Sequence, residues 1–175
     1  PEDLLENKFL KSFLSEISKT NLIKNSDRIE KLMERKTSLA FAMDKWSKAG
    51  IYLLTRQDED YPKRIKSRLK MTSPPILFIA GTKVNLSKSN IAVVGSRKIN
   101  DNDIDFTRTL GKEIAQLGFS VVSGCAKGVD EIAMTSTLEA DGIALGVVAN
   151  SLLQLTTSQI YRESIINKNL TLLSQ

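Results

Sequence analysis

Three short stretches of this sequence combine glycine, serine and basic residues in a way that could do chemistry. The first is Gly-Ser-Arg at residues 95–97, the second is SGCAKGVD at residues 123–130, and the third is ANS at residues 149–151. Glycine allows backbone amides to approach an oxyanion closely. Arginine can bind a phosphate through two parallel hydrogen bonds, and lysine adds a point charge. The first two stretches carry Arg97 and Lys127, so the chemistry they predict is phosphate binding.

Each of these residues also has an ordinary structural explanation. Gly95 could simply form a turn, Arg97 could be a solvated charge, and Asp130 could stabilise the first turn of a helix. Cys125 could have a lowered pKa near a helix N-terminus, although such a residue is more often a small loop side chain. Two neighbouring stretches that each hold Gly, Ser and a cation favour anion binding over these explanations.

The elements that would position these stretches form an alternating α/β pattern. Continuously apolar strands, unlike alternating ones, are covered on both faces, which predicts a parallel sheet with helices on each side. Ligands bind beyond the carboxyl ends of such strands, where the three stretches would lie. A strand order with the first strand central would place the last strand beside it. The predicted strands are 90–94, 119–123, 143–148 and 170–173, and the predicted helices lie near 102–117, 127–140 and 158–168.

The chain changes character near residue 50. Residues 1–50 form a small helical region in which a first helix carries Leu5, Phe9, Phe13 and Ile17 at four-residue spacing. A second helix begins near residue 26, and a third ends at Gly50. Residues 51–175 begin with two further strand candidates, IYLLT and PPILFIAG, and form the α/β domain.

Composition excludes several classes of function for these 175 residues. The sequence has no histidine and one cysteine, which excludes imidazole catalysis, histidine-bound metals and an internal disulfide. No apolar run approaches the ~20 residues of a membrane helix, and no signal-peptide pattern is present. Residues 1–90 hold 18 Lys or Arg against 11 Asp or Glu, which permits a polyanionic partner. We therefore expect a non-catalytic protein of the cytoplasm, with no metal, no cofactor and no membrane contact.

The motifs themselves resemble those of the DprA/Smf family. The matching segments are AGIYLLTRQDEDYP, PPILFIAGT, IAVVGSRK, VVSGCAKGVDEIA, GIALGVVANSL and IYRESIINKNLTLLSQ, in this order. Two positions depart from the family pattern. Ala133 and Met134 replace an Ala-His pair, and residues 149–152 replace Gly-Cys-Gly-Leu. The chain also lacks the later Arg-rich segment and further strands, so we expect it to end before the family fold is complete.

The resemblance implies a Rossmann-like domain that binds single-stranded DNA. Such proteins protect incoming DNA in natural transformation, help to load the recombinase RecA, form homodimers and are not known as enzymes. Aromatic residues make up only 6 % of the chain and none lies inside the first two motifs, so phosphate contacts should outweigh base stacking. The candidate DNA-binding residues are Gly95, Ser96, Arg97, Ser123, Gly124, Lys127, Gly128, Asn150 and Ser151.

Two other functions remain open at this point. The same fold could bind a nucleotide or a nucleotide derivative as a sensor or a hydrolase. Alternatively, the domain could be a protein-interaction module without a ligand. Binding measurements with single-stranded DNA, duplex DNA and free nucleotides would separate the three.

Overall fold

A computed structural model describes residue 31, residues 35–149 and residues 151–175. The chain divides into two compact units, Pro1–Lys45 and Trp46–Gln175, and the sheet belongs to the second. The first two predicted helices fall outside the described residues, apart from residue 31. The domain boundary at residue 50 stays a prediction.

The described helices and strands follow the predicted alternation closely. The helices Asp101–Gln116 and Val129–Glu139 each begin and end within about two residues of their predicted positions. The predicted helix near 158–168 is shorter and follows an additional short helix. In chain order the elements are α1 (Lys36–Lys48), β1 (Ile51–Thr55), α2 (Lys63–Leu69), β2 (Ile76–Ala80), β3 (Asn90–Ala92), α3 (Asp101–Gln116), β4 (Ser120–Ser123), α4 (Val129–Glu139), β5 (Ile143–Val147), α5 (Leu152–Thr156), α6 (Gln159–Ile166) and β6 (Leu170–Ser174).

The six strands form one mixed sheet in the order β1-β2-β6-β5-β4-β3. Strands β3 to β6 are parallel, as predicted, whereas β1 and β2 form an antiparallel hairpin that pairs with β6. The predicted position of the last strand beside residues 90–94 is wrong, because β6 lies between β5 and β2. Residues 95–97 therefore follow an edge strand of the described sheet, and not its centre. A continuous apolar run indicates burial on both faces of a strand, but it does not specify the neighbouring strands.

Helices lie on both faces of the sheet, which confirms the predicted fold class. One face packs against α3 to α6 through a core that includes Ile114, Met134, Leu152 and Tyr161. The other face carries a smaller core over β1, β2 and β6, to which α2 contributes Ile65. This second layer does not reach the β3 edge, where Val94 is 77 % exposed.

Two local features hold the helices that follow the motifs. Asn100 and Asp103 form a capping box at the start of α3, in which each side chain accepts a hydrogen bond from the other residue's backbone amide. Gly111 then allows α3 to approach α4, since a Cβ atom there would lie 2.1 Å from the Ser136 hydroxyl oxygen. The Thr137 hydroxyl donates to the Gly111 carbonyl at 3.0 Å and closes this contact. The close pairing of α3 and α4 aligns the loops that precede them.

Candidate nucleic-acid interface

The first two motifs form one continuous surface, which we call the double loop (residues 95–98 and 124–128). The Val129 amide donates to the Ser96 carbonyl at 3.2 Å and joins the two segments. Gly128 has a φ of 92°, and a Cβ atom on it would lie 2.3 Å from the Ser96 carbonyl oxygen. A Cβ atom on Gly95 would come within 2.7 Å of the Val129 side chain. Glycine is therefore required at both positions for the two loops to meet.

The Asp130 carboxylate connects the two segments of the double loop. Its carboxylate is 7 % exposed and accepts hydrogen bonds from the Gly95 amide at 3.2 Å and from the Gly124 amide at 3.1 Å. These two amides point at Asp130 and are not available to a ligand. Asp130 thus has a structural function beyond the first helical turn, and it connects β3 to β4 at their carboxyl ends.

The two serines of these motifs also make internal hydrogen bonds. Ser123 is buried, and its hydroxyl donates to the Val93 carbonyl at 2.7 Å. The Ser96 hydroxyl donates to the Lys98 carbonyl at 2.7 Å and accepts from the Lys98 amide at 3.1 Å. Both hydroxyls therefore shape the loops, and the groups left for a ligand are backbone amides and cationic side chains.

The double loop presents a concentration of unpaired donors. Within the described residues, no acceptor lies in reach of the backbone amides of Ser96, Arg97 or residues 125–128. The side chains of Arg97 and Lys127 are exposed and form no ion pair in the same part of the chain. Cys125 has a φ of 56°, and left-handed residues of this kind turn successive amides towards one side, forming a concave anion site. The N-terminus of the 11-residue helix α4 adds a partial positive charge.

Cys125 is not a reactive thiol. Burial, followed by the carboxylates of Asp130 and Glu131, raises the pKa of this thiol to about 12, and its Sγ lies 3.6 Å from the Met134 Sδ. A thiol with this pKa is protonated at neutral pH and is a poor nucleophile. Nearby, the buried Tyr161 hydroxyl has no hydrogen-bond partner among the described residues, and burial raises its pKa. Neither group supplies a nucleophile to the double loop.

Ser151 of the third motif lines a cavity to which the double loop contributes no residue. Asn150 falls outside the described residues. Ser151 is exposed and lines a cavity of about 260 Å³ near the end of β6. Trp46 and Phe78 line the same cavity, with ring centroids 5.0 Å apart in an edge-to-face arrangement. No sequence pattern predicts this aromatic pair, because its members are 32 positions apart in the chain.

Two further classes of site are absent from the described residues. No group of three or more His, Cys, Asp or Glu side chains in this part of the chain could hold a metal ion. In the same part of the chain, no helix combines the length and the apolar character that crossing a membrane requires.

The part of the chain that matches a known family contains all three motifs. Residues 52–175 match the family described as DNA recombination-mediator protein A. The chain belongs to this family. Among curated members, it is 33 % identical over 102 residues to the DNA processing protein DprA of Bacillus subtilis. It is 29 % identical over 101 residues to the protein Smf of Escherichia coli. These alignments cover 57 % and 58 % of the chain, but only 33 % and 26 % of the two relatives.

Solved structures of family members share the fold. The DprA structure from Streptococcus pneumoniae matches with a TM-score of 0.66 at 20 % identity, covering 92 % of this chain and 55 % of that one. DprA from Helicobacter pylori, a structure described for its single-stranded DNA binding mode, matches with a TM-score of 0.55 at 24 % identity. That match covers 71 % of this chain and 54 % of the other. The chain therefore spans about half the length of these structures and a smaller share of the curated relatives.

Proposed function

We propose that this chain is a single-stranded DNA-binding part of a DNA recombination mediator. The observation that carries the proposal is the double loop at the carboxyl ends of β3 and β4, where backbone amides and two cations without a partner in the described residues meet. A backbone phosphate would accept from the amides of Ser96, Arg97 and residues 125–128, and Arg97 and Lys127 would neutralise its charge. Family membership and the DNA-binding relative from Helicobacter pylori support this assignment.

Family membership supports a proposal for the wider role. We propose that the protein binds single-stranded DNA in the cytoplasm, protects it during natural transformation or recombination, and helps a RecA-type recombinase to load. We further propose that it acts as a homodimer and without catalysis. The protonated Cys125 thiol and the lack of histidine in the chain support a binding function over turnover.

A titration of labelled oligonucleotides tests the ligand. Single-stranded DNA, duplex DNA and free nucleotides are compared by fluorescence anisotropy at two salt concentrations. We expect the single strand to bind most tightly, and its affinity to fall with salt by ~0.7 logarithmic units per neutralised phosphate. Tighter binding of a free nucleotide would favour a nucleotide sensor or hydrolase. No binding of any of the three would favour a protein-interaction module.

Substitution of Arg97 tests the site. Arg97→Gln should weaken single-strand binding by about 1.5–3 kcal/mol, the scale of a hydrogen bond to a charged group, and by similar amounts for different base sequences. Lys127→Gln should act in the same direction but more weakly, because lysine is a point charge. Lys112→Gln, an exposed cation on α3, is the matched control. If Arg97→Gln binds single-stranded DNA with unchanged affinity and salt slope, the first motif is only a structural turn and does not bind DNA.

A further inference from the structure

The cavity of about 260 Å³ beside Ser151 lies at the carboxyl end of β6, on the sheet face that packs against α3 to α6. Two aromatic rings, Trp46 and Phe78, and two serines, Ser151 and Ser174, line it together with aliphatic side chains such as Ile51. Its volume is slightly below the usual range for small-molecule pockets, which begins at about 300 Å³. We call it the aromatic cavity, and its size limits an occupant to one small planar ring system.

The two rings of the aromatic cavity are only half-buried. The ring centroids of Trp46 and Phe78 are 5.0 Å apart and the ring planes are inclined by 75°, so that one ring directs its edge at the face of the other. Such a pair leaves ring surface open to the cavity, because an edge covers only part of a face. Every nucleobase has a π-face that can stack on an aromatic side chain. The cavity therefore combines an aromatic surface with an apolar wall, as a stacked base requires.

The two hydroxyl groups of the aromatic cavity add polar contacts. Ser151 is exposed, its side chain does not cap the helix α5, and its hydroxyl has no hydrogen bond among the described residues. The Ser174 hydroxyl donates one long hydrogen bond, to the Gln175 carbonyl at 3.4 Å. A serine hydroxyl both donates and accepts, so it can pair with the edge of any base. These polar groups favour a base without selecting one.

The aromatic cavity and the double loop lie at the same edge of the sheet. Strands β4, β5 and β6 are parallel neighbours, with Ser123 opposite Gly146 and Gly146 opposite Leu172. The second segment of the double loop directly follows β4, Ser151 comes shortly after β5, and Ser174 is the last residue of β6. The carboxyl ends of β4 and β6 are two strand spacings apart, or about 10 Å.

Side-chain packing connects the two surfaces on the face that α4 and α5 cover. A Cβ atom on Gly146 would collide with both the Cys125 Sγ and the Leu172 side chain, so these two groups lie side by side over β5. Cys125 belongs to the double loop, and Leu172 belongs to the core against which both aromatic rings pack. Ser174 is the next residue of β6 on the same face as Leu172. The packing from Cys125 through Leu172 to Ser174 therefore runs from the double loop to the aromatic cavity.

We propose that the aromatic cavity binds one nucleobase of the DNA strand whose phosphate the double loop binds. This inference rests on the proposed function, since it assigns a second contact to the same single strand. A stacked strand advances ~3.4 Å per nucleotide, so the bound base lies about three nucleotides from the bound phosphate. The base stacks on Trp46, the larger of the two rings, and directs its edge at the serine hydroxyls. Stacking tolerates all four bases, so the contact adds affinity without sequence preference.

The fluorescence of Trp46 tests this contact in the wild type, because the chain has one tryptophan. A base stacked on the indole quenches its emission, whereas a strand without bases does not. Two oligonucleotides of about 12 nucleotides are compared, one with bases and one with abasic sites throughout. We expect both to bind by anisotropy with the same salt slope, because counterion release depends on the phosphates. Only the strand with bases should quench Trp46 at saturation.

Trp46→Leu separates stacking from phosphate binding, because it keeps an apolar side chain but removes the aromatic face. The variant should bind the strand with bases about fivefold to 150-fold more weakly than the wild type, and should bind the abasic strand equally well. Phe119→Leu is the matched control, since this 41 % exposed ring precedes β4 at the opposite edge of the sheet. It should leave both affinities unchanged. Thermal unfolding is measured for each variant, and the wild-type fluorescence decides alone if Trp46→Leu does not fold.

Three results would overturn the inference. Binding of the strand with bases without a change in Trp46 fluorescence would show that no base enters the cavity, and would keep the proposed function. Equal losses for the two strands in a folded Trp46→Leu protein would show that Trp46 acts through the fold. Quenching by a deoxynucleoside monophosphate at lower concentration than by the strand would assign the cavity to a free nucleotide. Failure of the wild type to bind either strand would instead reject the proposed function together with the inference.

Discussion

Removal of the Asp130 carboxylate should destabilise the domain and the double loop together. Asp130→Ala leaves the Gly95 and Gly124 amides without their acceptor, at distances of 3.2 and 3.1 Å in the intact protein. A hydrogen bond to a charged group contributes about 1.5–3 kcal/mol. Both glycines lie in exposed loops, so water would replace part of this contribution. We therefore expect a loss of about 2–4 kcal/mol in the free energy of unfolding.

Urea unfolding followed by circular dichroism measures this loss. Asp130→Asn keeps one acceptor oxygen but turns an amide donor towards a backbone N–H group, so its loss should be smaller than that of Asp130→Ala. Glu113→Ala is the control, because this exposed carboxylate on α3 has no hydrogen bond or ion pair in the described residues. An Asp130→Ala protein within ~0.5 kcal/mol of the wild type would refute the argument that Asp130 connects the two loops.

Three further predictions concern the buried Tyr161 and the half-buried Cys125. Tyr161→Phe should raise the free energy of unfolding by up to ~1 kcal/mol, because it removes a buried hydroxyl that has no partner in the described part of the chain; a lower urea midpoint would contradict this. Cys125 should react more slowly with iodoacetamide at pH 8 in the folded than in the unfolded protein, and rapid labelling of the folded protein would contradict its raised pKa. Because the folded pKa of Cys125 is raised to about 12, its contribution to stability is complete below the unfolded value of ~8.5 and is lost as pH rises towards 12. Cys125→Ala should therefore show a shallower fall in stability above pH ~9.

The outcome for the strands shows what local patterns can and cannot predict. The alternation of apolar runs and helical segments gave the elements from β3 to β6, because burial and helix capping act over neighbouring residues. The Asn100–Asp103 capping box is an example, since both partners lie within four positions. The position of β6 was mispredicted because its partner β2 lies more than 90 positions earlier in the chain. Strand order depends on such distant pairings, and the apolar run itself does not encode them.

The candidate site likewise has features that the sequence predicts and features that only the tertiary structure shows. Residue types and spacing alone determined that Gly-Ser-Arg and SGCAKGVD are suited to an anion, because glycine amides and fixed cations carry that chemistry wherever they lie. Only the tertiary structure shows that Asp130 accepts hydrogen bonds from the Gly95 and Gly124 amides, so that a ligand would bind other amides of the double loop. It also shows that Ser151 lines a cavity with an aromatic pair. Hydrogen bonding is directional and short in range, so which donors remain for a ligand depends on how loops distant in sequence meet in space.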